Sequence, residues 1–452
     1  MSLRVAVSSS MTPGQRPGSQ PGEQGEGSAR ERPGLPTPAA ASSWAPGSAP
    51  ILLRPPPSRA PSRHAARDAG PCRPPLRHAG QDAFVTRRVT AGPAICAACR
   101  IAYTTAMDSF LPNFWYLVVA GRAVAPGRTV PATLLGQALL VGRARDGAVF
   151  AYADRCPHRA MPMRHGSFDG EALQCGYHGW RFRAADGRCT SIPALAERDT
   201  IDPGRFALRG YPCREVQGNI WVYPGEAAGP HDLPPVPAVP GFEGTAPQVA
   251  AVMRFPCPAD VATMGFIDPA HPAFVHTSRW WKRKPSTSLR PKEKAFEPDA
   301  LGFRMKRHHL RHGANPYRLL GRNVHVDVTI QLPGLRIEHI RGERHSACVL
   351  AMSTPVGPEQ TDVHYCVWWS MGWLAAAKPA ARWMARDFLR QDYDIAVQLQ
   401  EAGAPFPPPM FVGDADAQIR WFLRVKKEYQ ASQSERRAFA NPLREQVLQW
   451  RS

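Results

Sequence analysis

The chain has no lysine before Lys282, yet lysine and arginine together outnumber aspartate and glutamate by 56 to 37 across its 452 residues. The formal charge of +19 is therefore carried mainly by arginine. With the accompanying alanine and proline bias, this excess fits a GC-rich coding sequence better than a nucleic-acid footprint. No basic helix or aromatic platform is arranged for nucleic acid, so that class of partner is set aside. No apolar run is long enough to cross a membrane. Met1–Ser10 has no continuous apolar core of the kind a secretory signal needs. Arg87–Arg88 precede only a weakly apolar stretch, which Cys96, Cys99 and Arg100 interrupt. No flavin-binding or nucleotide-binding motif is present. The 10 cysteines are scattered, which suits a reduced, cytosolic protein and places the chain in a bacterial cytoplasm. Cys96 and Cys99 form a lone C-A-A-C that lacks the supporting fold such a pair requires.

Composition then divides what is there. Residues 1–106 hold about a third of the 48 prolines, with little aliphatic periodicity, and cannot bury enough apolar surface to offset their ordering entropy. They read as a disordered extension, either a translated upstream region or an Arg-rich, acid-poor organelle-targeting segment, the former preferred. From Met107 to residue 226 the pattern is one of short strands. Asp146–Gly147, Asp186–Gly187 and Gly218–Asn219 mark three turns beside them. Gly225–Pro240 is a proline-rich connector. Within residues 227–452, Val324–Leu332 alternates apolar and polar residues as a half-buried strand does. Ala347–Pro355 and Val363–Met371 read as hairpin arms, and Trp383–Glu401 as a long helix. Strands followed by a long helix point to an α+β domain.

Two segments carry chemistry. Cys156–Ala160 reads C-P-H-R-A, and Cys175–Trp180 reads C-G-Y-H-G-W. Each offers one thiolate and one imidazole, and Gly166 and Gly170 between them let two loops fold together. Such pairs can clasp an iron–sulfur cluster, with both cysteines on one iron and both histidines on the other. Zinc accepts the same ligands, although its fingers usually pair Cys with Cys and His with His.

A second set follows. Asp268, His271 and His276 form D-x2-H-x4-H. On a straight helix His271 and His276 point about 140° apart, so one metal could not take both. Pro269 and Pro272 supply a break. Taken alone, these read as two ordinary histidines beside a proline turn, with Asp268 as a helix N-cap. Two imidazoles and a carboxylate, however, make the facial triad of non-haem Fe(II) sites. The helix Trp383–Glu401 offers the carboxylate. At about 100° per residue, Met384, Ala385, Phe388, Leu389, Ile395, Ala396 and Leu399 share one side, with Asp392 in their midst. Asp387, Arg390, Asp394, Gln398 and Glu401 fall opposite. A buried carboxylate is costly unless it binds metal or pairs with an arginine, and both readings stand. His308, His309 and His312 sit among Arg and Lys, which suits a solvated basic face better than a cation site. Trp280–Lys284 reads as surface or packing.

The Cys/His segments, with Gly176, Tyr177, Gly179 and Trp180, resemble the Rieske [2Fe–2S] box. With the chain length, they resemble the large (alpha) subunit of the Rieske non-haem iron oxygenases. The nearest groups are the aromatic ring-hydroxylating, vanillate demethylase-like and pheophorbide a oxygenase-like enzymes, and the likeness runs from about Phe110 to the C-terminus. The resemblance implies an α+β chain: an all-β Rieske domain at 107–226, then a helix-grip (START-like) catalytic domain at 227–452 enclosing an apolar cavity. It implies that Cys156, His158, Cys175 and His178 hold the cluster. Mononuclear Fe(II) would sit on His271, His276 and Asp392, the last from the match of F-L-R-Q-D-Y-D-I-A-V-Q. Asp268 would link His271 to a cluster histidine of a neighbouring subunit in a homotrimer. Gly265 stands where the family usually has an asparagine that is not a ligand. Electrons would come from NAD(P)H through a separate reductase or ferredoxin, and O2 would oxidise an apolar aromatic or polycyclic compound by hydroxylation, demethylation or desaturation. The rival reading is an electron carrier that only holds a cluster, for which about a hundred residues suffice.

Overall fold

The computed structural model describes residues 110–226, 232–278, 289–310, 315–403 and 409–452. Residues 1–106, the Cys96/Cys99 pair, Trp280–Lys284 and His312 lie outside the described residues.

Short strands and tight turns build the first part. In order they are β1 (Tyr116–Ala120), β2 (Arg128–Leu134), β3 (Gln137–Arg143), β4 (Val149–Ala153), β5 (Ser167–Phe168), β6 (Ala172–Gln174), β7 (Arg181–Arg183), β8 (Cys189–Ser191), β9 (Gly210–Tyr211), β10 (Cys213–Val216) and β11 (Asn219–Val222). They form three sheets, ordered β1-β11-β10, β2-β3-β4-β9 and β5-β6-β7-β8. The β3–β4 turn is the expected Asp146–Gly147: Gly147 has φ +94°, and the Asp146 carboxylate accepts from the Ala148 amide at 2.9 Å. Asp186–Gly187 likewise joins β7 to β8. The third turn falls one residue earlier than expected. Gln217 (φ +49°) and Gly218 (φ +69°) make it, and Asn219 already pairs in β11.

The second part comprises β12 (Val249–Phe255), α1 (Ala259–Ile267), α2 (Pro272–Val275), β13 (Pro291–Asp299), β14 (Gly302–His309), β15 (His325–Gln331), β16 (Leu335–Arg341), β17 (Ser346–Gly357), β18 (Gln360–Trp369), α3 (Lys378–Glu401), α4 (Ala417–Ser434) and β19 (Gln446–Arg451). Its strands make one eight-stranded antiparallel sheet, β12-β18-β17-β16-β15-β14-β13-β19. Both faces of this sheet are covered. Leu350, Met352, Cys366 and Trp368 on one face share a core with Leu117 and Ile220 of the first part. Thr354 Oγ1 donates to the Leu117 carbonyl at 2.6 Å, and Trp368 Nε1 to the Thr245 carbonyl at 2.8 Å. On the other face, Val249, Ala251, Val363 and Tyr365 pack on Ala385, Leu389 and Ala396 of α3 and on Ala262 of α1. Farther along that face, Trp421 of α4 meets Phe296 and Phe303, with ring centroids 5.6 and 5.4 Å apart. A buried ion pair of Lys426 Nζ and Asp260 Oδ2, at 2.6 Å, ties α4 to α1.

The long helix begins at Lys378, five residues before the expected Trp383, with Pro379 in its first turn where proline is tolerated. Its buried stripe is also narrower than expected. Ile395 and Leu399 are 37% and 46% exposed. The C-terminal helix α4 and strand β19 were not expected from the sequence.

Candidate metal centres

Two loops of the first part repeat one backbone design. In the first, the Cys156 amide donates to the Met161 carbonyl at 2.8 Å, and the Ala160 amide donates back to the Cys156 carbonyl at 2.9 Å. In the second, the Cys175 amide donates to the Trp180 carbonyl at 2.9 Å, and the Gly179 amide to the Cys175 carbonyl at 3.1 Å. The fourth residue after each cysteine has positive φ: Ala160 at +60° and Gly179 at +72°. An alanine held there costs about 1–2 kcal/mol, which the closed loop must offset. The loops approach closely only because glycines face their neighbours. A Cβ on Gly166 would lie 2.0 Å from the Gln174 carbonyl oxygen, and one on Gly176 would lie 2.7 Å from that of His165.

This brings the expected residues together in two pairs. Cys156 and Cys175 are both buried, and His158 and His178 lie toward the surface. The imidazoles are neighbours, with ring centroids 4.6 Å apart. Trp180 stacks on His158 at 4.7 Å, and Tyr177 meets His178 at 3.8 Å with the ring planes tilted by 39°. Burial pushes the Cys156 thiol up to about 11; backbone N–H groups oppose this, and the adjoining Cys175 adds to it. Two buried thiols beside two outward imidazoles suit a cluster that takes sulfur on one side and nitrogen on the other. Arg164 bonds Asp154 below the first loop, and the Arg164 amide donates to Asp154 Oδ1 at 2.8 Å.

The second set gathers where α1 ends. The proline-broken segment is real: α1 stops at Ile267, and His271 and His276 flank the single turn of α2. Asp268 closes α1 rather than opening a helix; its Oδ1 accepts from the Ala270 amide at 2.7 Å. His271 Nδ1 lies 2.9 Å from the Asp268 carbonyl oxygen, so Nδ1–H donates there and Nε2 is left for a ligand. From α3, Asp392 Oδ1 comes within 3.7 Å of His271 Nε2 and 3.6 Å of His276 Nε2. One donor atom from each residue lies within 4.8 Å of the others. Ligands about 2 Å from a common ion stand roughly 3–3.5 Å apart, so the trio is nearly closed around such a point.

Its electrostatics are costly without a cation. His276 is 7% exposed, and neither ring nitrogen has a hydrogen-bond partner. Burial, then His271, pushes its pKa down to about 3. Burial raises the Asp392 carboxyl to about 7. Among the described residues the ion-pair partners of Asp392 are the two histidines, not an arginine. A divalent cation would offset all three penalties, so the donors fit Fe(II) in type, number and spacing. Asp394, by contrast, pairs outward with Arg390 at 2.8 Å. His308 and His309 lie on β14, apart from this group.

Two supports were missed in the sequence. Phe388, one turn before Asp392, stacks on His276 at 3.8 Å. Gln391 Oε1 accepts from the Thr277 amide at 2.8 Å, which pins the His276 segment to α3. The i, i+4 spacing of Phe388 and Asp392 was the available signal; nothing in the sequence marks Gln391.

Comparison with known proteins follows the same division. Residues 114–212 match the family model of the Rieske [2Fe–2S] domain. The chain is 36% identical over 135 residues to 4beta-methylsterol monooxygenase of Methylococcus capsulatus, a match that covers 30% of this chain and 36% of that protein. It is 30% identical over 175 residues to chlorophyllide a oxygenase of Arabidopsis thaliana, covering 38% and 30%. The chain thus spans about a third of the length of the curated relatives it matches. Among solved structures, NdmA of Pseudomonas putida CBB5 with caffeine superposes with a TM-score of 0.56 at 19% identity, over 75% of this chain and 98% of that one. The shared fold therefore includes the second part as well as the first.

Proposed function

We propose that this chain, which carries a Rieske [2Fe–2S] domain, is the terminal oxygenase of a multicomponent system. The observation that carries the proposal is the second donor set, His271, His276 and Asp392, on the part of the fold that a simple electron carrier would not need. In this reading Cys156, His158, Cys175 and His178 hold the cluster. With Fe(II) in the triad and electrons from the cluster, such a pair of centres supplies O2 activation toward an organic substrate.

The protein's own parts have distinct tasks. His271 presents Nε2 because Asp268 fixes its Nδ1–H. Phe388 packs flat on His276 and holds its ring orientation. Burial by α1, α3 and the sheet keeps water from the donors. The Asp268 carboxylate, with 26% of its side chain exposed, lies 4.0 Å from His271 Nδ1. We assign it the role of linking His271 to a cluster histidine of a neighbouring copy, in a homotrimer.

Electrons would come from NAD(P)H through a reductase or ferredoxin. Relatives named for sterol and chlorophyllide chemistry support an aromatic or polycyclic substrate. No helix among the described residues is long and apolar enough to cross a membrane. The five described cysteines outside the cluster loops form no disulfide, which suits a reducing compartment, and the reading keeps the chain in a bacterial cytoplasm.

The test is iron per chain with reductase-driven, O2-dependent product detection by mass spectrometry. The oxygenase holds about three irons and a carrier about two. A protein with full cluster absorbance, two irons and no product across a broad substrate panel ends the proposal.

A further inference from the structure

Helix α3 turns one side to the sheet and the triad, and its outer side is not simply polar. At about 100° per residue, Trp383, Arg386, Arg390 and Asp394 share the side away from Ala385, Leu389 and Asp392. An indole thus stands within the solvent-facing stripe, and Trp383 is 63% exposed. A second one joins it. The 3₁₀ turn Gly372–Ala377 runs into α3 without a break, since Ala377 and Lys378 both keep right-handed helical angles. At about 120° per residue through that turn, Trp373 falls on the side of Trp383. It too is 63% exposed. One exposed indole needs no explanation, but two on one stripe among arginines do.

Charge narrows the partner. Arg382 and Arg386 are exposed and make no ion pair among the described residues. Arg122 of the first part is exposed as well, and its Nη2 donates to the Ala250 carbonyl at 2.9 Å. It stands near enough to Arg382 for the two cations to repel: burial first, then Arg382, pulls the Arg122 guanidinium below its ordinary value. Two carboxylates stand against these arginines. Asp394 pairs with Arg390 at 2.8 Å, and Asp387 Oδ2 accepts from Gln391 at 3.2 Å. The face keeps a net positive charge. It is also apart from the contact assigned to a neighbouring copy. Phe388 and Gln391 mark the flank of α3 that holds the His276 segment, whereas Arg382 looks to the opposite flank, toward Arg122 and β12. From Trp373 to Arg390 the ridge runs roughly 28 Å and is convex, with no pocket to bury a partner protein's anchor. Indoles settle at the level of lipid headgroups, and juxtaposed arginines are drawn to anionic ones.

We propose that the outer face of α3, with the turn before it, docks on an anionic bilayer, with Trp373 and Trp383 entering the headgroup layer and Arg122, Arg382 and Arg386 on the lipid phosphates. The contact is peripheral, and it is made by the helix whose inner side holds Asp392. Docking therefore sets the triad about one helix thickness, roughly 10 Å, from the lipid, within reach of an apolar polycyclic compound dissolved there. That consequence rests on the oxygenase reading above; the docking does not.

The chain carries a formal charge of +19, so the experiment separates this face from general attraction. Holoprotein is sedimented with vesicles of phosphatidylcholine alone and with about a third phosphatidylglycerol, and tryptophan emission is followed with brominated acyl chains. Binding to the anionic vesicles should be about tenfold tighter or more, and bromine should quench part of the emission. The Trp373→Ser, Trp383→Ser double variant should lose that quenching. Arg382→Gln with Arg386→Gln should weaken binding about tenfold or more, which keeps the test open if the tryptophan variant misfolds. Arg198→Gln with Arg205→Gln removes the same charge from another exposed surface and should change binding less than about twofold. Equal losses in the two arginine pairs, quenching unchanged in the tryptophan variant, or no preference for anionic vesicles overturns the inference. Self-association that the tryptophan variant abolishes, without vesicle binding, overturns it in favour of a second copy. Iron content and cluster absorbance are read on the same samples. A loaded chain that binds no vesicle sinks this inference alone, whereas a chain with two irons that docks sinks only the oxygenase reading.

Discussion

Asp392→Asn should stabilise the metal-free protein at pH 8 and destabilise the loaded one. The reasoning starts from burial, which raises the Asp392 carboxyl from 3.8 to about 7. A group whose folded pKa exceeds its unfolded value binds more protons when folded. Its contribution is fully present below the unfolded value and is lost as pH rises toward the folded one. Over about 3 pH units, at about 1.4 kcal/mol each, the metal-free wild type forfeits up to roughly 4 kcal/mol between pH 4 and pH 8. Asparagine has the same shape and no proton to lose, so the variant escapes that loss. His276, held neutral in the folded protein down to about 3, titrates only in the unfolded chain and adds the same slope to wild type and variant, so it cancels in their difference. With Fe(II) present the order inverts. A ligand held well above a thousand times its Kd adds more than about 4.1 kcal/mol to the state that binds it, which exceeds that loss, and the variant has lost a charged donor. The assay is urea unfolding at several pH values, with chelator and with anaerobic Fe(II), the cluster being followed by its visible absorbance. Asp394→Ala serves as control and should shift neither series, because its carboxylate pairs with Arg390 in solvent. A metal-free Asp392→Asn protein that is less stable than wild type at pH 8, or a difference that does not change with pH, refutes the reasoning.

Asp268→Asn should keep both metals and the fold but turn over very slowly, and sedimentation should give a trimer; a fully active monomer would remove the bridging role. Gly166→Ala should lose the cluster absorbance, because the new methyl group would sit 2.0 Å from the Gln174 carbonyl, next to Cys175; an unchanged visible spectrum contradicts this. His364→Leu should flatten the acid limb of the stability curve. His364 is buried, its Nε2 has no partner, and burial holds its pKa near 4, so stability present above about 6.5 is lost as pH falls toward 4, by roughly 3 kcal/mol. Equal slopes for wild type and variant between pH 6.5 and 4 would count against that account.

The cluster loops were legible because local backbone geometry makes them. A cysteine with a histidine two or three places on, twice over, and glycines between the pairs are all written within Cys156–Trp180. The hairpins were legible for the same reason, and the one error, at Gln217–Gly218, arose because glutamine is an uncommon occupant of a left-handed turn position. Asp392 was legible through helical arithmetic, since a carboxylate amid Ala385, Leu389 and Ala396 demands a cation. The helix start was not, because no side chain caps it and Pro379 in its first turn was the one signal there. Gln391 was not, because its partner, the Thr277 amide, is 114 residues away.

Strand β16 exposes a deeper limit. Its sequence, Leu335-Arg-Ile-Glu-His-Ile-Arg341, alternates at first as a half-buried strand should, and a period-two reading sends Arg336 and Glu338 to solvent. That reading assumes that one face of the sheet is bare. Here both faces are covered, and the apolar residues Leu335 and Ile337 lie on the side of Leu350 and Met352, against the Rieske part. The polar side is the one that meets the helices. Alternation in a strand reports that two faces differ, but only the register and the covering elements say which face is the site. The same pattern that looks like an ordinary surface strand thus places a half-buried pair, Arg336 and Glu338, on the helix-covered side. Burying charges there is costly, and a functional site is where such a cost is expected.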